Sequence, residues 1–173
     1  MKIDLKPVAA LSPVPIVLVT SGNEEKTNII TIAWTGIISS EPPYVYVSIR
    51  PARHSYNLIK ETKEFVINLP SEELLNAVDY AGIKSGKDVD KFSELKLTKE
   101  PSKMIITPGI KECKINLECR LKEIQDMGAH HMFVGEIVNV NCEKDYMNDN
   151  GTINYQTASL ITYLRWRVLF IRK

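Results

Sequence analysis

The apolar residues of this chain recur mostly at every second position, and this alternation restricts the fold more than any other feature. In ECKINLECRLKEI (112–124), apolar side chains and cysteines share one face of an extended segment, and charged or amide side chains share the other. YVYVSIR (44–50) repeats the pattern, with Val45, Val47 and Ile49 on one side. Successive side chains of a strand point to opposite faces of the sheet, so both segments are predicted to be strands with one buried face.

Five further segments are predicted to be strands, and the predicted helices are few and short. The strands are PIVLVT (15–20), NIITIAW (28–34), EFVINLP (64–70), HMFVGEIVNVNCE (131–143) and ASLITYL (158–164). The helices are YNLIKET (56–62), with Ser55 as its N-cap, and SEELLNAVDYAG (71–82). This pattern predicts a mainly β fold, an antiparallel β-barrel or sandwich with short helices. The 173 residues show no repeat or linker, so we expect a single domain, 1–173.

The charge balance of the chain disfavours a general attraction to polyanions. The 22 basic and 21 acidic side chains leave a net charge of +1, so we expect no nucleic acid or membrane as a partner. Any anion site must therefore be local. No apolar run approaches the roughly 18 residues that span a bilayer, and Asp4, Pro7 and Pro13 disfavour a signal peptide. These features lead us to expect a cytoplasmic protein.

The three cysteines are predicted to be free and buried. Cys113, Cys119 and Cys142 are odd in number and lack the CxxC spacing of metal-binding or redox pairs. They alternate with other apolar residues, as buried thiols in cores do. We therefore expect neither a disulfide framework nor a metal site.

One short segment, SIRPARHSYN (48–57), concentrates residues that bind phosphate. Pro51 ends the preceding strand, and a helix begins directly after it. A helix N-terminus offers free backbone N–H groups and a partial positive charge, and the nearby Arg50, Arg53 and His54 add side-chain donors. The segment therefore predicts a phosphate site, although a solvated basic turn with an ordinary serine cap has the same composition. The chain has no glycine-rich phosphate loop of the usual nucleotide-binding kinds.

The succession from residue 27 to residue 70 resembles the flavin reductase-like family, which includes flavoredoxin and other FMN-binding split-barrel proteins. The features that resemble the family are an Ala-Trp strand end, a Ser-x-x-Pro-Pro segment, a strand ending in Ser-x-Arg, an Arg-His-Ser helix start and Phe-Val-x-Asn. SGKDVDKF (85–92) and GAHHMFVGEIV (128–138) extend the resemblance over roughly residues 12 to 164. It implies an FMN-binding split barrel, usually a homodimer with the flavin at the subunit boundary.

The resemblance also implies roles for individual residues. Those expected at the FMN phosphate are Arg50, Arg53, His54, Ser55 and, from the later loop, Lys91. Those expected along the isoalloxazine ring are Thr31, Ala33, Trp34, Thr35 and Gly36, with Ser48 and Asn68 as further polar contacts. Of the pair His130–His131, His131 is predicted to orient the nicotinamide or to donate a proton. The alternatives are that Trp34 packs in a core or an interface and that both histidines are solvated.

Three functions are compatible with these residues. The first is an FMN-dependent oxidoreductase of the NAD(P)H:flavin reductase type, which passes a hydride to bound FMN and electrons onward. The second is a flavoredoxin-like FMN electron carrier that serves a redox partner protein without a nicotinamide substrate. The third is an interaction module without flavin, which the residues suited to phosphate binding at 50, 53, 54 and 55 disfavour. The ending RWRVLFIRK (165–173) departs from the family, whose members usually continue into a glycine- and tyrosine-containing tail, and is predicted to be an edge strand or a plain terminus.

Overall fold

The computed structural model describes residues 1–164 and 167–170. Its twelve strands are β1 (Val14–Pro15), β2 (Val17–Gly22), β3 (Thr27–Ile32), β4 (Thr35–Ser40), β5 (Pro43–Ile49), β6 (Glu64–Leu69), β7 (Lys99–Glu100), β8 (Gly109–Ile110), β9 (Ile115–Asp126), β10 (His131–Cys142), β11 (Ile161–Leu164) and β12 (Arg167–Phe170). Its helices are α1 (His54–Thr62), α2 (Leu75–Ile83) and α3 (Lys91–Leu95). Short 3₁₀ turns span Glu72–Leu74 and Lys144–Tyr146. None of the described helices is long and apolar enough to cross a bilayer.

Seven of the strands form one antiparallel sheet in the order β3-β2-β6-β9-β10-β5-β4. The sheet curls, so that β3 also contacts β5 across the barrel. A second antiparallel sheet has the order β1-β11-β12, which places a strand within the unusual ending of the chain. The other positions of that ending, 165–166 and 171–173, lie outside the described residues. The predicted mainly β, antiparallel architecture is confirmed.

The inner face of the curled sheet forms the larger apolar core. Alternate residues of its strands point inward, as the period-two pattern predicts. The helix α1 closes one end of the barrel through Tyr56 and Ile59. The other buried members of this core are Val17, Val19, Ile30, Ile32, Val45, Val47, Ile49, Phe65, Ile67, Cys119 and Phe133. The packing of α1 against this core sets the position of its N-terminus.

The outer face of β2 and β3 is covered as well, by α2 and α3. Leu18 and Ile29 point outward and pack against Val78 and Ala81 of α2 and Phe92 of α3. Strands buried on both faces read as continuous apolar runs, which explains why β2 shows no alternation.

Three local expectations prove wrong. The strand predicted over 28–34 ends at Ile32, and Ala33 and Trp34 form a bend before a separate strand, β4, that the sequence does not reveal. Ser55 is not the N-cap of α1, because Arg53 occupies that position and Ser55 lies in the first turn. The polar face of β9 is not wholly solvated, since Glu118 is buried and accepts hydrogen bonds from the backbone N–H groups of Lys103 and Met104.

Close packing inside the barrel requires a glycine at position 135. A Cβ atom there would lie 2.5 Å from Phe65 Cζ, and Phe65 is fully buried and cannot move aside. We expect Gly135→Ala to lower the free energy of unfolding by about 1–3 kcal/mol, the usual cost of overpacking a core. Urea denaturation followed by circular dichroism measures this change.

Gly82→Ala in α2 is the matched control. An added Cβ there would make ordinary contact with Thr31 at 3.4 Å, and alanine favours a helix. We expect it to leave the stability unchanged or slightly higher. An equal loss of stability in both variants would contradict the packing explanation for Gly135.

Candidate functional site

Two adjoining pockets lie where β3, β5 and the start of α1 meet. The bend pocket, of about 190 Å³, is lined by Ile30, Thr31, Ile32, Ala33, Trp34, Ser48, Ile49, Arg50, Arg53, His130 and Tyr163. The basic pocket, of about 350 Å³, is lined by Asn28, Ile30, Arg50, Ala52, Arg53, His54, Ala81, Lys84, Ser85, Gly86 and Lys91. The two pockets share Ile30, Arg50 and Arg53. They therefore form one continuous concave surface.

The basic pocket carries a strong local excess of positive charge. Its described lining includes four cationic side chains and no carboxylate; the cations are Arg50, Arg53, Lys84 and Lys91. The pKa of His54 is lowered by burial and by the nearby charges of Lys87 and Lys91, so its imidazole is neutral at pH 7 and can serve as a hydrogen-bonding group. A nearly neutral chain thus concentrates positive charge at one point, which suits a small anion.

The start of α1 opens toward this pocket. Arg53 is the N-cap in an extended conformation, and its side chain makes no capping hydrogen bond. The first N–H groups of an α-helix have no intrahelical carbonyl partner. The N-terminus of α1 therefore adds backbone donors and a partial positive charge to the arginines beside it.

Gly86 lines the basic pocket, whereas Ser55 lines neither pocket and lies buried behind Asn28. Ser55 is fully buried, and its hydroxyl oxygen accepts a hydrogen bond from Asn28 Nδ2 at 2.8 Å. A Cβ atom on Gly86 would lie only 2.0 Å from Asn28 Oδ1. Only glycine lets the 84–90 loop approach β3 this closely, and the loop thereby completes the pocket.

The bend at Ala33–Trp34 forms the wall of the bend pocket. It is held in place because the Ser48 N–H donates to the carbonyl of Trp34 at 2.9 Å and the Thr35 hydroxyl donates to the carbonyl of Tyr46 at 2.6 Å. Trp34 is 40% exposed and meets the ring of Tyr163 edge-on at 6.4 Å, so it does not belong to the buried core. The residues of this bend belong to neither β3 nor β4, so a flat ligand can approach their peptide groups.

The two adjacent histidines have different surroundings. His130 lines the bend pocket, where Arg50 Nε donates to its Nε2 at 3.4 Å, and burial together with Arg50 and Arg53 lowers its pKa. His131 does not line that pocket. A hydrogen bond of 2.8 Å joins His131 Nδ1 to the Tyr56 hydroxyl, and His131 Nε2 lies 3.5 Å from Asp126 Oδ1. The two side chains of the pair thus have separate environments.

The remaining predicted residues divide between the pockets and the core. Thr31, Ala33, Trp34 and Ser48 line the bend pocket, whereas Thr35 and Gly36 follow the bend at the start of β4. Asn68 lies in neither lining. Its Oδ1 accepts hydrogen bonds from the Ile110 N–H and from Asn116 Nδ2, and its Nδ2 donates to the carbonyl of Leu18. This buried network joins β2, β6, β8 and β9.

Several lining residues were missed by sequence reasoning. They are Asn28, Lys84, Ser85, Gly86 and Tyr163, and of the histidine pair it is His130, not the preferred His131, that lines a pocket. The Ser-Gly pair in the 83–92 loop is the one local signal that marks a close backbone approach. Asn28 gives no signal, because it stands in an apolar strand and reaches the pocket through the strand's inner face.

The described residues offer no alternative site for a metal ion. They contain no group of three or more histidine, cysteine, aspartate or glutamate side chains close enough to hold one. Cys113 and Cys119 are free and buried, and burial raises the pKa of both thiols. Cys142, which was expected to be buried, is only partly so.

Comparisons with known proteins identify the family and the fold. Residues 10–160 match the family model of the flavin reductase like domain. An uncharacterised protein of Archaeoglobus fulgidus is 40% identical over 146 residues, which cover 84% of this chain and 82% of the relative. Among solved structures, flavoredoxin of Desulfovibrio vulgaris (Miyazaki F) is 30% identical with a TM-score of 0.94, and the match covers 100% of this chain and 94% of that one.

A split-barrel protein of Shewanella frigidimarina shares the fold at 21% identity and a TM-score of 0.84, over 94% of this chain and 84% of that one. The curled antiparallel sheet is therefore a split barrel. With a family model that spans most of its length and relatives at 30–40% identity over most of their own, the chain belongs to the flavin reductase-like family.

Proposed function

We propose that this protein binds FMN, with the phosphate in the basic pocket and the isoalloxazine ring at the bend pocket, and acts as a flavin-dependent oxidoreductase. The observation that carries this proposal is the junction of the two pockets at Arg50 and Arg53. One pocket offers cations without carboxylates, and the other offers a backbone bend beside an aromatic side chain. A phosphate ester attached to a flat heterocycle matches both pockets, because the phosphate suits the cations and the flat ring suits the bend.

The residues present fit the phosphate group of FMN. Guanidinium groups grip phosphate oxygens in pairs, and Arg50 and Arg53 both face the pocket. A side chain at position 86 would collide with Asn28, so glycine is needed for the loop to line this pocket. Ser55, whose hydroxyl oxygen accepts from Asn28, would contribute mainly through its position at the start of α1.

Bound FMN would accept a hydride from NADH or NADPH and release electrons to an acceptor, which is chemistry that no side chain of the chain provides. The protein would then hold the flavin and shield it from solvent. The arginines and the start of α1 hold the phosphate, and Trp34 covers part of the bend pocket. His130 contacts Arg50, and because its lowered pKa leaves it mainly neutral at pH 7, it is placed to orient a second ligand by hydrogen bonding.

A flavoredoxin-like electron carrier is the second candidate function. The structural similarity to flavoredoxin over the whole chain favours it. In this case reduced FMN would serve a redox partner protein, without a nicotinamide substrate. Both candidates need the same FMN site and differ in what reduces it.

Removal of both arginines tests the phosphate assignment. We expect Arg50→Ala/Arg53→Ala to weaken FMN binding by about 1.5–3 kcal/mol for each lost charge-assisted bond, with incomplete additivity. Quenching of flavin fluorescence on binding measures the affinity. The same double substitution should weaken the binding of riboflavin, which lacks the phosphate, much less.

Arg120→Ala is the matched control, because Arg120 is exposed and donates to the carbonyl of Met104 away from both pockets. It should bind FMN like the unmodified protein. Unchanged FMN affinity in the double arginine variant would refute the proposed phosphate site.

Anaerobic mixing with NADH or NADPH separates the two candidate functions. Rapid loss of the absorbance of oxidised flavin is expected for a reductase. If the holoprotein stays oxidised with either nicotinamide but accepts electrons from a redox protein, the protein is an electron carrier and the reductase function is refuted.

Glutamine variants at positions 130 and 131 then distinguish the two histidines. His130→Gln should slow reduction about 10²-fold if this side chain orients the nicotinamide. His131 keeps its predicted role if His131→Gln shows the larger effect.

We also propose that the protein is a homodimer, as the family resemblance implies. The edge strand β4 supports this proposal, since Ile37 and Ile38 are 68% and 47% exposed beside Trp34. A bulge between Ile37 and Ser39 turns both isoleucines toward the surface. Exposed apolar clusters of this kind mark interfaces.

Charge on this edge should separate the subunits. We expect Ile37→Lys/Ile38→Lys to be monomeric in size-exclusion chromatography with light scattering, and to bind FMN more weakly if the flavin lies at the subunit boundary. Ile106→Lys, at an equally exposed isoleucine elsewhere, is the control. An unmodified protein that elutes as a monomer would refute the dimer.

A further inference from the structure

Lys91 is a lysine buried beneath the basic pocket. It is the first residue of α3 and is only 4% exposed. Its Nζ donates to the carbonyl of Ile29 on β3 at 2.6 Å and to the carbonyl of Ala81 on α2 at 2.8 Å. A protonated amine has three N–H donors, so these bonds leave one for the pocket that Lys91 lines.

The charges around Lys91 are positive on the sides that face the pocket. Arg53 and His54 face it from the start of α1, Arg50 from the end of β5, and Lys84 from the end of α2. The β3 residues beside the pocket carry no charge. On its own side, Asp90 uses its carboxylate to accept hydrogen bonds from the N–H groups of Phe92 and Ser93.

Lys91 has no carboxylate within ion-pair distance anywhere in the described part of the chain. Burying an ammonium group without a counter-charge costs free energy, and this cost disfavours the protonated amine relative to the neutral one. Burial and the charge of Arg53 lower the pKa of Lys91 to about 8. The neutral amine can still accept or donate hydrogen bonds, but it no longer attracts an anion.

We propose that Lys91 couples phosphate binding to proton uptake, so that the basic pocket takes the phosphate monoester of FMN together with a proton on Lys91. This inference rests on the proposed function for the identity of the ligand. The phosphate dianion supplies the counter-charge that the chain itself omits. The amine gains the proton from solvent, and no covalent bond is made or broken.

The direction of the pH dependence follows from linkage. Above a pH of about 6 the phosphate is mainly a dianion, and its proximity raises the pKa of Lys91 in the complex. Below pH 8 Lys91 is already protonated in the free protein, and the affinity is constant. Above pH 8 Lys91 is mainly neutral in the free protein, so FMN must bind together with a proton. The FMN affinity then falls by up to tenfold for each pH unit, until the pH reaches the pKa of Lys91 in the complex.

The experiment measures FMN and riboflavin affinities between about pH 7 and about pH 9.5, a range that brackets the titration. FMN should lose about tenfold in affinity over the upper unit of this range, and riboflavin should show no such loss. Calorimetry in two buffers of different ionisation enthalpy should record proton uptake on FMN binding that rises toward one proton per FMN at the upper end of this range.

Lys91→Arg keeps a permanent cation at this position and should bind FMN with no loss above pH 8. Lys84→Arg, at the other lysine of the pocket, should retain the slope of the unmodified protein. If Lys91→Arg does not fold, the proton uptake of the unmodified protein decides the question alone.

Two results would overturn the coupling: an FMN affinity that is constant across this pH range, or a loss that riboflavin shows equally. Absence of FMN binding at every pH would instead refute the proposed function. The two failures are therefore distinguishable.

Discussion

The position of α1 depends on how its inward side chains pack in the end of the split barrel. Tyr56 packs edge-on against Phe133 at a centroid distance of 5.1 Å, and its hydroxyl is bonded to His131. Ile59 is fully buried in the same core. This packing holds the first turn of α1 beside the ends of β3 and β5, so the arginines, the helix N-terminus and the bend meet at one place. The hydrophobic effect thus positions polar groups that would not assemble by themselves.

Uncompensated charge is the second organising feature of the site. The protein carries almost equal numbers of acids and bases, yet the described lining of the basic pocket has four cations and no carboxylate. Such an arrangement costs folding free energy through mutual repulsion and through the burial of Lys91. Functional sites retain costs of this kind when a ligand supplies the missing charge. A buried lysine that donates to two carbonyls and has no carboxylate partner in the described residues therefore supports the proposed phosphate site.

Residues close together in the chain were predicted well, because their relation is fixed by local geometry. Arg50, Arg53 and His54 surround Pro51 in one short turn, and any fold that keeps the strand and the helix brings them together. Asn68 and Asn28 show the limit of such reasoning. Asn68 lies in a family-like strand but bonds to Ile110 and Asn116 in the core, whereas Asn28 reaches the pocket without any local signal. Contacts across 27 or more residues depend on strand register, which side-chain alternation alone does not specify.

The amino-acid sequence by itself determined the mainly β class, the course of most strands and the basic turn after β5, because period-two alternation and the proline are local properties. Only the tertiary structure decided that β3 ends in a bend, that Gly86 closes the basic pocket against Asn28, and that His130 and His131 have separate surroundings. It also decided that the amine of Lys91 is buried and donates hydrogen bonds to two carbonyls. These features arise from the curl of the sheet and the docking of helices on it, which join segments far apart in the chain and create burial that no single segment encodes.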